Sequence, residues 1–383
     1  MFHSSYIEIS KSALQNNINF LRKEIGPYVK LSSVIKGNAY GHGIEPFAAI
    51  AQECGVDHFS VFSADEALRL LPTLKKPATI MIMGYLDNPE LEWAIQNDME
   101  FFVFELDRLI EAGKAAKKLQ KRACVHLELE TGMNRTGFGE NEINNVLSVL
   151  EEHKEYLELK GVCTHFAGAE SFQNHDRVQE QLNRYKQQLQ RLQASGYTPE
   201  QCHTACSAAM VSYPETRMDM VRIGIMQYGL WPSPETYIQY IGQREEKLDP
   251  LQRLINWKSH VMTLKYVSQG EYIGYGTSYQ ASRDMTVAIV PVGYAWGYSR
   301  TLSNHGQVLI NGVRAAVVGI VNMNVMMVQV TEIHDVRKGD EVVLLGKQGS
   351  ESITVASFGE LSTQLNYELL TRLPINIPRY VVD

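Results

Sequence analysis

Between residues 31 and about 224, short apolar runs alternate with segments whose apolar positions recur every three to four residues. Eight runs have the length and β-branched content of buried strands: LSSVIK, HFSVF, ATIMIMG, MEFFVFEL, ACVHLELE, LKGVCTH, QCHTA and MVRIGI. The segments between them, such as ADEALRLLPTL, DRLIEAGKAAKKLQ, ENEINNVLSVLEEH and VQEQLNRYKQQLQRLQAS, carry the helical period. Eight strands in regular alternation with helices predict a parallel eight-stranded α/β barrel. The stretch WPSPETYIQYIGQREEKLDP, with its prolines and charges, breaks the rhythm and reads as a connection. After it come INWKSHVMTLKYV, MTVAIVPVGYA, GQVLING, RAAVVGIV, VMMVQV and DEVVLLG, separated by glycine or Asn-Gly turns. That pattern predicts a smaller, mainly antiparallel β domain. VASFGELSTQLNYELLTRL, near the end, reads as one helix. The expected division is a barrel over 1–240 and a β domain over 241–383.

Composition supports two packed domains and narrows the partners. With 383 residues, 44% of them hydrophobic and 21% charged, the chain has ample material for two cores. A net charge of -7 argues against a nucleic-acid binder, and the densest basic run, KAAKKLQKR, interleaves apolar residues as the solvated end of an amphipathic helix does. The start, MFHSSYIEISKSALQ, lacks the basic opening and apolar core of a secretory signal, and no run approaches the ~20 apolar residues of a membrane span. A cytoplasmic enzyme is the expectation. Five cysteines do not suggest a disulfide framework. Cys202, His203 and Cys206 have no second cluster to complete a metal site, so the thiols read as buried structural groups and no metal is expected.

The segment Val34 to Gly43, VIKGNAYGHG, places one lysine, Lys36, at the end of an apolar strand and then turns sharply. Gly37 and Gly41 permit backbone geometry that a side chain would block, and GIEPFAAIAQE beyond them has helical period. In an α/β barrel the carboxyl ends of the strands are where active sites are built. Alone, a strand-end lysine is a solvated charge.

The whole string resembles the pyridoxal-phosphate attachment segment of the alanine racemase family, and the resemblance extends over essentially the entire chain. It implies a barrel followed by a β domain, with the first strand, about residues 5–10, leaving the barrel to join the β domain. It also implies a homodimer with shared active sites and pyridoxal 5'-phosphate as cofactor. Lys36 would carry the cofactor covalently, and Tyr40 would help hold its phosphate. Ser207, in HTACSAAM, and the backbone of Gly224 and Ile225 would contact the same phosphate, while Arg222, in MVRIGIMQYG, would donate to the pyridine nitrogen. An arginine stays protonated at any working pH, so the ring nitrogen facing it stays largely unprotonated and the cofactor is a weaker electron sink. That favours racemisation over transamination.

Inversion at Cα needs a group on each face. The resemblance supplies Lys36 on one and Tyr275, in EYIGYGTSY of the partner subunit, on the other, with His165 between the tyrosine and Arg222. A tyrosine's ordinary pKa of about 10 requires neighbours that lower it for this role. Arg135, in TGMNRTGF, would approach the substrate carboxylate, the backbone of Met323 would help bind it, and Tyr294 would stand at the inner entrance. Several positions depart from the family pattern. Glu128 replaces a lysine that is often carbamylated, and because both end in an anion, Glu128 is expected to orient Arg135. Cys206, Trp296, Asn324, Ile320 and Ile375 replace the usual asparagine, aspartate, aspartate, arginine and tyrosine, and no role is carried to Ile375.

The expected activity is interconversion of L- and D-alanine, a small amino-acid substrate, with cell-wall precursor synthesis as the implied destination. Serine or another small amino acid is the alternative, since Trp296 and Ile320 alter the entrance. A decarboxylase on a similar barrel would need a carboxylate where Arg222 stands. A single-domain noncatalytic carrier of the cofactor would lack residues 250–383, whereas a noncatalytic relative that keeps fold and cofactor stands as a further alternative, given the altered entrance.

Overall fold

The computed structural model describes residues 3–355 and 366–383. The chain forms two compact units. One comprises Ser12–Lys36 and Ala48–Arg253; the other gathers the amino-terminal strand, residues 37–47 and the chain from Leu254 onward. The first strand, β1 (Ser5–Ser10), belongs to the second unit.

The first unit is built on eight parallel strands: β2 (Lys30–Val34), β3 (His58–Val61), β4 (Thr79–Ile82), β5 (Glu100–Val103), β6 (Ala123–Glu128), β7 (Leu157–Cys163), β8 (Gln201–His203) and β9 (Met220–Ile223). Their order, β8-β7-β6-β5-β4-β3-β2-β9, runs round a nearly closed barrel. All eight correspond to the apolar runs of the sequence. The pairing of β2 with β9 aligns Ser32 with Arg222 and Ser33 with Ile223. Between β8 and β9 the ladder thins to single bonds, Arg222 N to Ala205 O at 3.0 Å and Asp219 N to Cys202 O at 3.1 Å. Helices between the strands turn their apolar stripes inward. Leu106–Leu119, for example, buries Leu109, Ala112, Gly113 and Ala116, the spacing of one helix face.

Two details of this unit correct the sequence reading. The supposed connection after Trp231 contains a helix, Pro234–Gly242. Ser233 caps it by accepting from Thr236 N, and Pro234 occupies the first turn, where its missing N–H costs nothing. Cys202 and Cys206 are half-buried, whereas Cys54 and Cys163 are the buried thiols.

The second unit holds two sheets. The larger has the order β14-β13-β16-β10-β1-β18 with β17 attached to β16, and the smaller is β11-β12-β15. Their strands are β10 (Ile255–His260), β11 (Thr263–Val267), β12 (Met285–Val290), β13 (Gln307–Ile310), β14 (Val313–Ala316), β15 (Met326–Gln329), β16 (Glu341–Gln348), β17 (Glu351–Ile353) and β18 (Arg379–Val382). INWKSHVMTLKYV, one run in the sequence, splits between sheets. Val261 N donates to Asp340 O on one side of the break, and Met262 N donates to Ile289 O on the other. Asn311 and Gly312, both at positive φ, make the two-residue turn joining β13 to β14. Pairing is antiparallel except where β1 lies parallel to β18. The carboxyl-terminal helix read from VASFGELSTQLNYELLTRL lies partly outside the described residues, and its described part is Asn366–Thr371.

After β2 the backbone does something the glycines only hinted at. Gly37, Asn38 and Ala39 lie near φ 62, 56 and 53 with ψ 46, 47 and 50, and Tyr40 follows at φ 50. This is a left-handed turn in which three of the four residues carry a Cβ, at roughly 1–2 kcal/mol each. Bonds across it offset the cost: Gly41 N to Gly37 O at 3.0 Å, His42 N to Ala39 O at 3.0 Å and Gly43 N to Asn38 O at 2.8 Å. Arg379 clamps its far end, donating from Nε and Nη2 to the Gly41 carbonyl at 3.0 and 2.8 Å. At Gly41, φ is 82 and a Cβ would stand 1.9 Å from the Leu370 carbonyl oxygen. Gly41→Ala is therefore expected to destabilise the protein by about 2–4 kcal/mol, strain and overlap together. Gly55→Ala, at φ 86 with open space around it, should cost about 1 kcal/mol. Urea midpoints of the two variants check this, and equal losses would contradict the close approach at Leu370.

Candidate active site

The carboxyl ends of the barrel strands assemble a cationic site. Lys36 follows β2 by two residues, and the strand end that presents it is braced from β9. Gln227 Nε2 and Tyr228 OH both donate to the Val34 carbonyl, at 2.9 and 3.1 Å, while Ser33 Oγ donates to Gln227 Oε1 at 2.7 Å. Solvent reaches the Lys36 side chain, yet enough protein surrounds it that lost hydration is the first cause of its lowered pKa. The charges of Arg135 and Arg222 lower it further. Lowering the pKa raises the fraction of neutral amine, the nucleophilic form.

Arg222, on β9, is 5% exposed. Its Nη1 donates to His203 Nδ1 at 2.5 Å and to the His203 carbonyl at 2.7 Å, and its Nη2 donates to the carbonyls of Thr164 at 2.7 Å and Thr204 at 3.3 Å. Immediately after it, Gly224 N donates to Ser207 Oγ at 3.0 Å. That leaves the Ser207 hydroxyl proton for another acceptor. Gly224 also opens the short helical turn Ile225–Tyr228.

His165 follows β7 and is half-buried. Its carbonyl accepts from Gln181 Nε2 at 3.1 Å. Burial first, then the positive charges of Arg222, Arg135 and Lys36, push its pKa down to about 3. The imidazole is therefore neutral at any physiological pH.

Beyond β6 the loop folds back on itself. Phe138 N donates to Glu128 O at 2.8 Å, Glu130 N to Phe138 O at 2.9 Å, and the Glu130 carboxylate accepts from Gly132 N and from Asn134 N. This presents Arg135, whose Nη2 is 4.0 Å from Glu128 Oε1. The other oxygen of Glu128 accepts from Thr136 Oγ1 at 2.8 Å. Burial raises the Glu128 pKa, while Thr136, Arg135 and Arg222 oppose that rise.

Lys36, Arg135, His165, Ser207, Arg222, Gly224 and Ile225 thus all belong to the barrel unit. Tyr40, Tyr275, Tyr294 and Met323 belong to the other. Tyr275 is 70% exposed, in the turn where Ile273 N donates to Tyr279 O at 3.0 Å. Tyr294 and Met323 are also exposed. Ala295 N donates to Met323 O and Tyr294 N to Asn322 O, both at 3.0 Å. Gly293 allows this approach, since a Cβ there would stand 2.0 Å from Asn322 O.

The donor set suits a phosphorylated pyridine aldehyde: a perturbed amine for the aldehyde, a fixed guanidinium for the ring nitrogen, and a serine hydroxyl beside a glycine turn for the phosphate. Comparison with known proteins agrees. The profile described as alanine racemase, N-terminal domain, matches residues 9–232, and that of the C-terminal domain matches residues 254–381. The chain belongs to the alanine racemase family. It is 36% identical over 387 residues to the alanine racemase of Leptospira interrogans, covering 100% of this chain and 96% of that one. With the alanine racemase of Methanococcus maripaludis it shares 34% identity over 98% of each chain. Among solved structures, alanine racemase from Bacillus anthracis with bound L-Ala-P superposes with a TM-score of 0.90 at 33% identity, covering 100% of this chain and 96% of that one. The Clostridium difficile enzyme gives 0.91 at 30%, with the same coverage.

Sequence reasoning passed over most of the residues that hold this candidate site in place: Gln227 and Tyr228 behind Lys36, Thr164 behind Arg222, and Gln181 behind His165. His203, which also holds Arg222, was weighed only as a metal ligand beside Cys202 and Cys206, and the structure buries it within the barrel. The charges around His165 make a prediction of their own. In histidine-selective NMR, His165 should remain neutral from pH 8 down to about 4, and a titration midpoint near the ordinary 6.5 would contradict the cationic surroundings described.

Proposed function

We propose that this chain is a pyridoxal-phosphate-dependent amino-acid racemase that interconverts L- and D-alanine with Lys36 and Tyr275 as its two proton carriers. The observation that carries the reading is the pairing of β2 with β9 at the closure of the barrel, which brings Lys36, two residues past the end of β2, and Arg222, on β9, to the same end of two neighbouring strands. When bound, the cofactor withdraws electrons from Cα of the amino acid and makes its proton removable. The remaining work falls to the residues of this chain.

Lys36 would hold the cofactor through Nζ and, when free of it, would move a proton at Nζ on one face of Cα. Arg222 would face the ring nitrogen; because its charge is permanent it would offer that nitrogen a hydrogen bond and no proton, and the bound cofactor would be a weaker electron sink. Ser207, Tyr40, Gly224 and Ile225 bind the phosphate. Arg135 and the backbone of Met323 orient the substrate carboxylate, and Tyr294 lines the entrance. Tyr275 of the partner subunit moves the proton at Oη on the opposite face, with neutral His165 and Arg222 behind it. Lysine takes the proton from the D form and tyrosine from the L form.

The shared site makes the homodimer part of the proposal. The exposure of Tyr275 in a single chain supports it, because a group that must act in a desolvated pocket needs a second surface to cover it. Mixing inactive Lys36→Ala with inactive Tyr275→Phe, followed by exchange of subunits, should restore about a quarter of the wild-type sites, one intact site in each mixed dimer. No restoration would rule out sharing between subunits. Deuterium exchange with inversion of L-alanine in D2O, compared with L-serine and larger amino acids, fixes the substrate. The absence of inversion with alanine would overturn the reading.

Glu128 bears on substrate binding. Held by Thr136 and 4.0 Å from Arg135, it stands where a carbamylated lysine is common in the family, its ionisation opposed by burial and favoured by Thr136, Arg135 and Arg222. Glu128→Gln should raise KM for alanine by about 3- to 10-fold with kcat little changed, the signature of lost uniform binding. An unchanged KM would mean that Arg135 is held by something else. Among the described residues no helix is long and apolar enough to cross a membrane. Action in the cytoplasm is part of the proposal, with cell fractionation as its check.

A further inference from the structure

The interior of an eight-stranded barrel is ordinarily filled by branched apolar side chains. Here one layer is polar. Arg222 on β9 donates to His203 Nδ1 on β8. His203 Nε2 lies 2.8 Å from His126 Nδ1 on β6, and His126 Nε2 lies 2.9 Å from Glu100 Oε2 on β5. The same glutamate oxygen is 3.5 Å from His58 Nε2 on β3, whose Nδ1 is 2.9 Å from Ser32 Oγ on β2. Ser32 Oγ in turn meets Ser60 Oγ. His58, His126 and His203 are buried, as is Glu100.

The strand between β6 and β8 leaves room for this chain of bonds. Gly161 on β7 pairs with His126, and a Cβ at Gly161 would stand 2.0 Å from His126 Nδ1, the atom that meets His203. Phe102 lies against the imidazoles of His126 and His203 at centroid distances of 6.1 and 5.8 Å, and the Arg222 guanidinium carbon is 5.9 Å from its ring.

The two ends fix the direction of every proton. A guanidinium only donates, so His203 Nδ1 is bare and its proton is on Nε2. His203 then donates to His126 Nδ1, and His126 carries its own proton on Nε2, toward Glu100. The electrostatics agree. Burial and then the charge of Arg222 hold His203 well below its usual pKa, with His126, His58 and Lys30 adding to the effect. Burial likewise lowers the His126 pKa despite Glu100. Burial alone would raise the Glu100 carboxyl, but the bond from His126 and the nearby His58 ring bring it below the usual carboxylate range. Among the described residues no carboxylate stands in ion-pair contact with Arg222.

We propose that Glu100 is the counter-ion of Arg222, acting through His126 and His203, and that these three are positioning residues for the guanidinium. The four bonds to His203, Thr164 and Thr204 use the N–H groups of Nη1 and Nη2. Of the five donors of an arginine, Nε–H is left for the ring nitrogen of the cofactor. The functional part of this proposal rests on the reading of Arg222 given above.

The test is side-chain nitrogen NMR of the cofactor-loaded enzyme with 15N-labelled histidine and arginine, between pH 5 and 9. His126 and His203 should both appear as neutral Nε2–H tautomers and should not titrate. A titrating ring, or an Nδ1–H tautomer at either residue, overturns the proposal without the need of any variant. In Glu100→Gln the charge is gone and the amide can donate as well as accept. The variant should keep its cofactor, shift the His203 and Arg222 side-chain nitrogen resonances, lower kcat about 10- to 100-fold with little change in KM, and move the pH dependence of the visible absorbance of the bound cofactor. Unmoved His203 and Arg222 resonances would overturn the coupling. Moved resonances with an unmoved cofactor spectrum would keep the relay and reject the pairing of Arg222 with the cofactor.

Discussion

The pairing of β2 with β9 is the constraint on which the site depends. A barrel closes by bringing its first and last strands together, and here that closure sets Ser32 beside Arg222 and Ser33 beside Ile223. Lys36 leaves one of these strands and the glycine turn at Gly224 leaves the other. The side chains of Gln227 and Tyr228 then tie the end of β9 back to the Val34 carbonyl. An amine and a guanidinium brought together in this way cannot both be well solvated. Burial lowers the Lys36 pKa first, and the charges of Arg135 and Arg222, brought round by the closed barrel, lower it further.

The same repulsion selects what can stand nearby. Burial and then the charges of Arg222, Arg135 and Lys36 keep His165 neutral, so at its position the ring is a hydrogen-bonding partner and not a further cation. Among the described residues Glu128 is the carboxylate in ion-pair range of Arg135, at 4.0 Å. Its burial works against ionisation, while Thr136, Arg135 and Arg222 work for it. At that distance the contact with Arg135 is loose.

Much of this fold was written in periodicity. Eight apolar runs became eight strands, and those buried at every position, such as β3, β5 and β9, need no alternation. The split of INWKSHVMTLKYV between two sheets was invisible, since only the tertiary partners of Val261 and Met262 decide it. β17 and β18 were missed because three or four residues carry too little pattern. At Lys36 the glycines announced an unusual backbone. They could not show that Asn38, Ala39 and Tyr40 share it, because the compensation comes from bonds across the turn and from the Arg379 clamp, which is remote in sequence. The candidate residues were found through resemblance to a family, and their supports were not. His58, Glu100, His126 and His203 each sit singly in a strand-like run, and it takes the barrel register to show that they form one layer.

That layer is costly in a way that argues for its purpose. Replacing buried ionic groups by well-packed apolar ones is often neutral or stabilising by about 1–4 kcal/mol, so stability alone gives no reason to keep Glu100 inside a barrel. Removing only one charge would leave the other buried and unpaired, which makes the layer all-or-none. Arg222 cannot be given up if the ring nitrogen of the cofactor is to receive a hydrogen bond without a proton. A carboxylate placed directly against the guanidinium would take two of its N–H groups and compete with Nε–H for orientation. Two neutral imidazoles between them let the anion balance the cation from a distance while the backbone carbonyls of His203, Thr164 and Thr204 set the angle. The glycine at position 161 is the geometric condition for that arrangement, since any side chain there would occupy the place of His126 Nδ1.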